Sequence, residues 1–389
     1  MPEERDEIMK VCMITTVHKP LDGRIFYKEA RSLSKIYDVL VIAANREAGE
    51  RQVESVKIVT IKRPRLRKLF HFITIWRIFK KGLELDCNIY HCHEPDSLII
   101  CLLIKFIKRN NVKVIYDVHE HWPSEIRYGW LRVKNNKILT TIIEKLIWNI
   151  EHKAVNFADH IIVVNNHLAR EFHMLSFKVS VIPNVPLITI LKRSYSGDIN
   201  KKDADLILMA SKVANHYGIN EILRSLYKLK KVYPKIKLKI IGDIKIDIKT
   251  TLDRFNMTDN VILKGFLPLE NMYYEIEKGK IGLNIVKPEF YNIYIGLSTK
   301  LFDYMACKLP VVASNLPEIK LIIKQTKGGI LVDPENINEI TKAIKYLIEN
   351  PKDAKKMGIR NRKVIEKNIN WKRSEKKLIR IYKLLEEGK

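Results

Sequence analysis

Gly296-Leu297-Ser298-Thr299-Lys300-Leu301-Phe302-Asp303 combines residue types that suit one chemistry, the holding of a diphosphate. Gly296 permits a tight turn, and Ser298 or Thr299 can cap a helix running to about Cys307, before Pro310 opens the next strand. Free amides at a helix start, with the Lys300 ammonium in the first turn, attract phosphate oxygens. One turn further on, the Asp303 carboxylate can accept hydrogen bonds from ribose hydroxyls. By spacing alone the same residues also make an ordinary capped helix with a solvated lysine, and both readings stand.

Other chemistry-bearing residues fall elsewhere. Asp22-Gly23-Arg24 follows the first strand, where Rossmann-like folds let a phosphate approach the backbone. Gly23 allows that approach and Arg24 can fork onto a phosphate, or else Arg24 pairs with Glu29 on a helix surface. His91 and His93 lie at i, i+2 on one strand face, as do His119 and His121. The residues between them are not typical ligands, so packed or capping histidines are expected and no metal. Asp203-Ala204-Asp205 has the spacing of a metal-binding carboxylate pair, but it lies near the expected domain junction and carries no weight.

Short β-branched runs must position these residues. Val11–Val17, Val39–Ala43, Val56–Ile61, Asn88–His91, Lys113–Val118, His160–Val164 and Val179–Ile182 alternate with amphipathic stretches such as Ile25–Ile36 and Thr140–Val155. Continuous apolar strands between helices predict a parallel sheet covered on both faces. Pro183-Asn184-Val185-Pro186 interrupts the pattern, and a polar stretch follows. The alternation restarts with Leu206–Ala210, Ile236–Gly242, Val261–Lys264, Ile281–Ile285, Val311–Ala313 and Gly329–Val332. The expected class is therefore α/β, with two Rossmann-like domains whose parallel sheets face a central cleft. Residues 8–187 form the first and 188–370 the second, and a basic amphipathic helix over 371–389 crosses back to the first.

The chain has 389 residues, 46% hydrophobic and 29% charged, which excludes a disordered protein. Five scattered cysteines without CxxC spacing read as reduced thiols and argue against a disulfide scaffold or zinc ribbon. No apolar run is long enough to span a bilayer, and the acidic N-terminus lacks a secretory core, so a cytoplasmic protein is expected. Seventy Lys and Arg against 44 Asp and Glu give a net charge of +26, which favours anionic partners. A nucleic-acid binder has no helix-turn-helix, RRM or zinc pattern behind it, so no nucleic-acid partner is expected. Lys62–Lys81 holds eight Lys or Arg among Leu66, Leu69, Phe70, Ile73, Trp76 and Ile78, and is expected to form a basic helix with an aromatic face. Such a helix docks on anionic membrane surfaces, unless Phe72 and Trp76 cover the sheet instead. Arg127–Lys134 is a second basic, aromatic stretch.

From Gly296 to Ser314 the sequence resembles the carboxyl-domain signature of GT-B glycosyltransferases, in particular the retaining family 4 type. Other pieces agree in order: His18–Ala30, His91–Asp96, Tyr116–Glu120, Ala158–Val164, Val181–Val185, Gly329–Pro334 and Asn370-Trp371. The first of these is similar to a loop in the branch that builds capsular and cell-surface polysaccharides. The resemblance implies transfer of a hexose-type unit from a nucleotide-diphosphate sugar to a polysaccharide or lipid-linked acceptor, with retention of configuration and no metal or other cofactor. It assigns His119, Lys300 and Asp303 to catalysis. Donor binding is expected at Gly23, Arg24, Lys212, Gly242, Gly296, Leu297, Ser298 and Thr299. It also implies peripheral attachment to the inner face of the membrane. The pattern departs from the family where Asp303 replaces the second of two glutamates and Ile295 stands at the first. Ser211-Lys212 and Tyr217-Gly218 replace the usual Arg and Lys pair. Those departures support an alternative, a non-catalytic paralogue that binds a nucleotide sugar or a partner enzyme.

Overall fold

The computed structural model describes residues 8–66, 69–109, 111–125, 137–175, 178–188 and 202–388. The chain divides into two compact units, Met1–Asn184 with Ser374–Lys389, and Val185–Arg373. Arg127–Lys134 lies outside the described residues.

The first unit is built on an eight-stranded sheet. Its strands are β1 (Lys10–Thr15), β2 (Asp38–Asn45), β3 (Gly49–Val53), β4 (Val56–Lys62), β5 (Ile89–Cys92), β6 (Lys113–Val118), β7 (His160–Val163) and β8 (Val179–Val181), in the order β3-β4-β2-β1-β5-β6-β7-β8. All pairs are parallel except β3 with β4. Val11 to Ile14 are fully buried, which explains their unbroken apolar run, because a central parallel strand meets helices on both faces. The polar β3 has no such run, and it is an exposed antiparallel edge. Since β1 pairs with both β2 and β5, the chain winds one way from β1 and then returns to the other side. Ligands of doubly wound folds sit at the carboxyl ends of strands at such a reversal.

Three helices of this unit matter below: α1 (His71–Glu84), α2 (Pro95–Ile107) and α3 (Lys137–Ala154). The expected basic helix over 62–81 is shorter than predicted. Lys62 closes β4, opposite Asn45, Pro64 follows it, and the helix begins only at His71. Thr74, Ile78 and Gly82 face the core while Phe72 and Trp76 are each 63% exposed, so the aromatic side chains do not cover the sheet.

The second unit carries an all-parallel sheet of six strands: β9 (Ala204–Val213), β10 (Leu238–Ile244), β11 (Val261–Gly265), β12 (Gly279–Asn284), β13 (Val311–Ser314) and β14 (Gly329–Val332). Their order, β11-β10-β9-β12-β13-β14, places the reversal between β9 and β12. Helix α4 (Thr299–Ala306) packs through buried Leu301, Phe302, Tyr304, Met305 and Ala306. A Cβ at Gly282 would lie 2.5 Å from Tyr304, so the glycine makes room for that ring. The ring's hydroxyl accepts the Met209 amide hydrogen at 2.7 Å, fixing α4 against β9. Helix α5 (Trp371–Glu387) starts in the second unit, with the Trp371 amide donating to the Pro186 carbonyl at 3.0 Å. From Ser374 onward it belongs to the first, where Tyr382 is fully buried.

Candidate active site

In the first unit the residues after β1, β5 and β6 converge. The chain leaves β1 through a loop and enters a wide helical turn over Ile25–Ala30, whose amides bond five residues back as well as four. The Tyr27 amide donates to the Asp22 carbonyl at 3.2 Å and that of Glu29 to the Arg24 carbonyl at 2.9 Å. This widened winding, common at functional sites, puts Arg24 and Glu29 on one inward side. Arg24 is 3% exposed. Its Nε and one terminal nitrogen each donate to an Asp117 carboxylate oxygen at 2.9 Å, and the other terminal nitrogen donates to the Ile182 carbonyl at 2.9 Å. Glu29 Oε1 lies 2.8 Å from Nε. Burial pushes the Glu29 carboxyl well up, against the pull of Arg24; burial would raise Asp117 too, but the Arg24 charge and neighbouring imidazoles hold it well below the usual carboxylate range.

Asp117 passes this order on to the histidines. His119 Nε2 lies 2.8 Å from Asp117 Oδ2, and because an ionised carboxylate only accepts, that nitrogen carries the proton and Nδ1 keeps the lone pair. Burial lowers the His119 pKa against the pull of Asp117, leaving a neutral ring able to accept a hydrogen bond from a hydroxyl. His93 Nδ1 is 3.3 Å from the same nitrogen, and burial pushes its pKa down to about 4. His91 Nδ1 is 2.8 Å from the Tyr382 hydroxyl of α5. His18 completes the group, its ring centroid 5.2 Å from that of His119. Burial disfavours a charged His18, but Asp22 at 3.6 Å, Glu94 at 3.7 Å and Glu120 outweigh it and push it up to about 9. At neutral pH the pair is thus one imidazolium beside one neutral imidazole. Glu29, His91, His93 and Asp117 do place ligand-type atoms within 4.8 Å of one another. Within this set Arg24 hydrogen-bonds Asp117 and forms an ion pair with Glu29.

The second unit presents a different arrangement. The Cβ of any other residue at Gly296 would lie 2.4 Å from the Asn292 carbonyl oxygen, so only glycine passes through this close turn into α4. Ser298 holds the cap position, yet its hydroxyl donates to Asn284 Oδ1 at 2.7 Å and does not cap the helix. Asn284 is the last residue of β12, so the amides at the start of α4 lie at the sheet's reversal point with no side-chain cap from Ser298. Leu297, half-buried, packs against the core under them. Lys300 Nζ lies 4.3 Å from the centroid of the Tyr217 ring and donates to its hydroxyl at 3.2 Å, and among the described residues no carboxylate pairs with it. Thr299 is exposed, and Asp303 Oδ1 accepts from the Tyr273 hydroxyl at 2.6 Å.

The amino-terminal half matches the model of Glycosyltransferase Family 4 over residues 23–185, and the carboxyl-terminal half that of Glycosyl transferases group 1 over 193–364. The chain belongs to the GT-B glycosyltransferases. An uncharacterized glycosyltransferase of Haemophilus influenzae is 27% identical over 190 residues, which are 46% of this chain and 48% of that protein. Another, from Methanocaldococcus jannaschii, is 24% identical over 314 residues, 75% of this chain and 72% of that one. In fold, the chain is similar to sucrose-phosphate synthase from Thermosynechococcus elongatus, with a TM-score of 0.77 at 14% identity, over 98% of this chain and all of that one. It is also similar to the Anabaena HepE protein in complex with UDP-glucose, with a TM-score of 0.65 at 13% identity, over 96% and 99% of the two chains.

The remaining expectations for this glycosyltransferase are met unevenly by its geometry. Arg24 is buried and its guanidinium bonds Asp117 and Ile182, and the pairing with Glu29 that was the other reading lies in the interior and not on a helix surface. Gly23 has nothing within 4 Å of where a Cβ would be, and the turn around it is made by Asp22, whose carboxylate accepts from the amides of Arg24 and Ile25. Gly242 has φ +135°, and a Cβ there would strike the Ala210 carbonyl at 1.6 Å, so strand packing already accounts for it. Lys212 lies on β9 in register with Asp243, and its side chain is outside the described residues. His121 bonds Ser124 at 2.8 Å as a capping histidine. Asp203 and Asp205 are held by Lys239 and Lys280, at 2.6 and 2.7 Å. Sequence reasoning did not single out Asp117, His18, Tyr217 or Asn284 as site residues. Three of them, His18, Asp117 and Tyr217, lie within quoted motifs, but only tertiary contact shows what they touch.

Proposed function

We propose that this glycosyltransferase moves a hexose-type unit from a nucleotide-diphosphate sugar to a polysaccharide or lipid-linked acceptor, with retention at the anomeric carbon and no metal. The observation that carries the reading is the start of α4 at the reversal point of the second sheet, with amides that Ser298 leaves uncapped and an ammonium without a carboxylate partner among the described residues. As the bond from the anomeric carbon to the diphosphate breaks, positive charge grows on the sugar ring and negative charge on the departing oxygen. The α4 amides and Lys300 stabilise the latter, and because they are already oriented they need little rearrangement in the transition state. Asp303 holds the ribose. Neutral His119, oriented by Asp117, takes a hydrogen bond from a sugar hydroxyl. The acceptor hydroxyl bonds to the anomeric carbon on the face the diphosphate leaves, and its proton passes to a diphosphate oxygen, so no protein base is needed. UDP-glucose in the structure of the similar Anabaena protein supports a nucleotide sugar as donor.

Attachment to an anionic membrane face belongs to the same proposal, supported by the exposed Phe72 and Trp76 and the basic residues around them. No helix among the described residues is long and apolar enough to cross a membrane. The non-catalytic reading keeps one observation in its favour: Ile295, in place of a glutamate, is 1% exposed and offers the site no carboxylate. A thermal-shift screen of UDP-, GDP-, ADP- and dTDP-sugars, repeated with Lys300→Ala, tests donor binding. A shift with one donor that disappears in the variant supports the site, and no shift with any donor overturns it. Donor hydrolysis or transfer by the purified chain then decides between enzyme and binding protein.

A further inference from the structure

We propose that a basic pocket of the first unit binds the phosphate or diphosphate head of an amphiphilic acceptor. The pocket, of about 840 Å³, is lined by Lys19, Arg46, Arg51, Lys62, Arg63 and Arg65, with Glu47 as its one acidic residue. It rests on the reading of a lipid-linked acceptor given above, and it specifies the chemistry by which that acceptor is recognised.

The sheet brings these cations together. Lys19 follows β1, Arg46 follows β2 and Lys62 ends β4, and these three strands are neighbours with their carboxyl ends on one side. Arg51 joins them from β3, which pairs with β4. Other lysines of this unit find carboxylates, Lys57 and Lys81 at Glu50 and Lys105 at Asp159. Among the described residues, Lys19, Arg46, Arg51, Lys62 and Arg65 have no such pair. Like charges gathered in a concave site repel one another and raise the local potential, and a multivalent anion relieves both effects. Arginine forks suit phosphate oxygens in particular.

Two further contacts say what kind of phosphate ester fits. From Lys62 the chain runs through Arg65 into Leu66, Leu69, Phe72 and Trp76, all more than 60% exposed. Arg77 of α1 donates to the Lys62 carbonyl at 3.0 Å, which pins that apolar face to the pocket rim. A cationic socket joined to exposed apolar side chains matches a charged head with a hydrocarbon tail. On its other side the pocket borders the loop that leads to the histidine cluster. Arg63 donates to the Val17 carbonyl at 2.9 Å and, at longer range, to those of Thr16 and His18. That clamp fixes the loop whose His18 faces His119 and whose next residue, Lys19, lines the pocket.

The test uses the full chain carrying Lys300→Ala, which weakens competition for the probe from the second unit. Binding of inorganic pyrophosphate is measured by calorimetry. Sedimentation measures binding to phosphatidylcholine vesicles doped with a long-chain prenyl diphosphate, against vesicles brought to the same surface charge with phosphatidylglycerol. Pyrophosphate is expected to bind, and Arg46→Glu with Arg65→Glu is expected to weaken it about tenfold or more, whereas the equal charge change Lys352→Glu with Lys355→Glu leaves it within about twofold. Prenyl-diphosphate vesicles are expected to bind more tightly than the charge-matched ones. Equal losses in the two double variants, or no pyrophosphate binding, overturn the pocket. Equal binding to both vesicle types overturns the amphiphile and leaves only general adhesion. In the otherwise native chain, Arg46→Glu with Arg65→Glu keeps the donor-induced thermal shift, so failure here and failure of the donor reading are told apart.

Discussion

Arg24 and Lys300 are both cations beside the carboxyl ends of central strands, one in each unit, and they are held in opposite ways. Arg24 is buried and bonded to a carboxylate through two nitrogens and to a carbonyl through a third. Lys300 rests on an aromatic ring, with no carboxylate pairing with it among the described residues. Arg24 is therefore spent within the first unit, where it fixes a set of imidazoles. Lys300 and the α4 amides are the groups proposed above to take a ligand. A cation matched by the protein builds a site, and one left unmatched is available to bind.

The comparison breaks most sharply at Arg24→Met. The change strands the buried Asp117 carboxylate and should cost about 3–5 kcal/mol of stability in urea unfolding. A loss under about 1 kcal/mol would mean that the network is not held by its charge. Acid comes next. His93 binds a proton in the unfolded chain below about pH 6.5 but in the folded chain only near pH 4. The stability this represents is present above pH 6.5 and is lost as pH falls towards 4, by up to about 3 kcal/mol. His18 runs the other way: its contribution is complete below pH 6.5 and disappears as pH rises through about 9. Unfolding midpoints across pH 4–10 should show both slopes, and His93→Gln should flatten the acid limb. A profile unchanged by that variant would remove His93 from the account.

Lys300→Ala should do the reverse of Arg24→Met. Donor affinity is expected to fall about tenfold, near 1.4 kcal/mol, with stability changed by less than about 0.5 kcal/mol. A large loss of stability would show that Lys300, like Arg24, is structural. Tyr217→Phe keeps the ring under the ammonium and removes one hydrogen bond, so calorimetry should find donor affinity within about threefold of the native value. Smallest of all, Gly23→Ala should leave the melting temperature unchanged, because open space surrounds that position.

Much of the fold is legible in the sequence because parallel strands buried on both faces are written as unbroken apolar runs, as in Val11–Ile14 and Val39–Ala44. The edge strand Gly49–Val53 is not, since nothing requires it to be apolar. The helix start at Ser298 can be read from Gly296 and Lys300, whose roles are local. Arg24 misleads because its partner Asp117 is 93 positions away, and no spacing rule joins them. The five-residue winding after Asp22 is equally invisible, since it depends on what Arg24 and Glu29 meet inside. At 62–81 a charge pattern suggested one helix, although Pro64 already marked the break.

Helix α5 has a consequence for how the molecule is made. Tyr382 reaches His91, and Tyr37 donates to Glu386 of the same helix at 3.0 Å. The unit that leaves the ribosome first thus lacks a piece of its interior until the second unit has been synthesised. The later unit, continuous from Val185 to Arg373, holds all six described strands of its own sheet. Order of synthesis and order of completion are reversed.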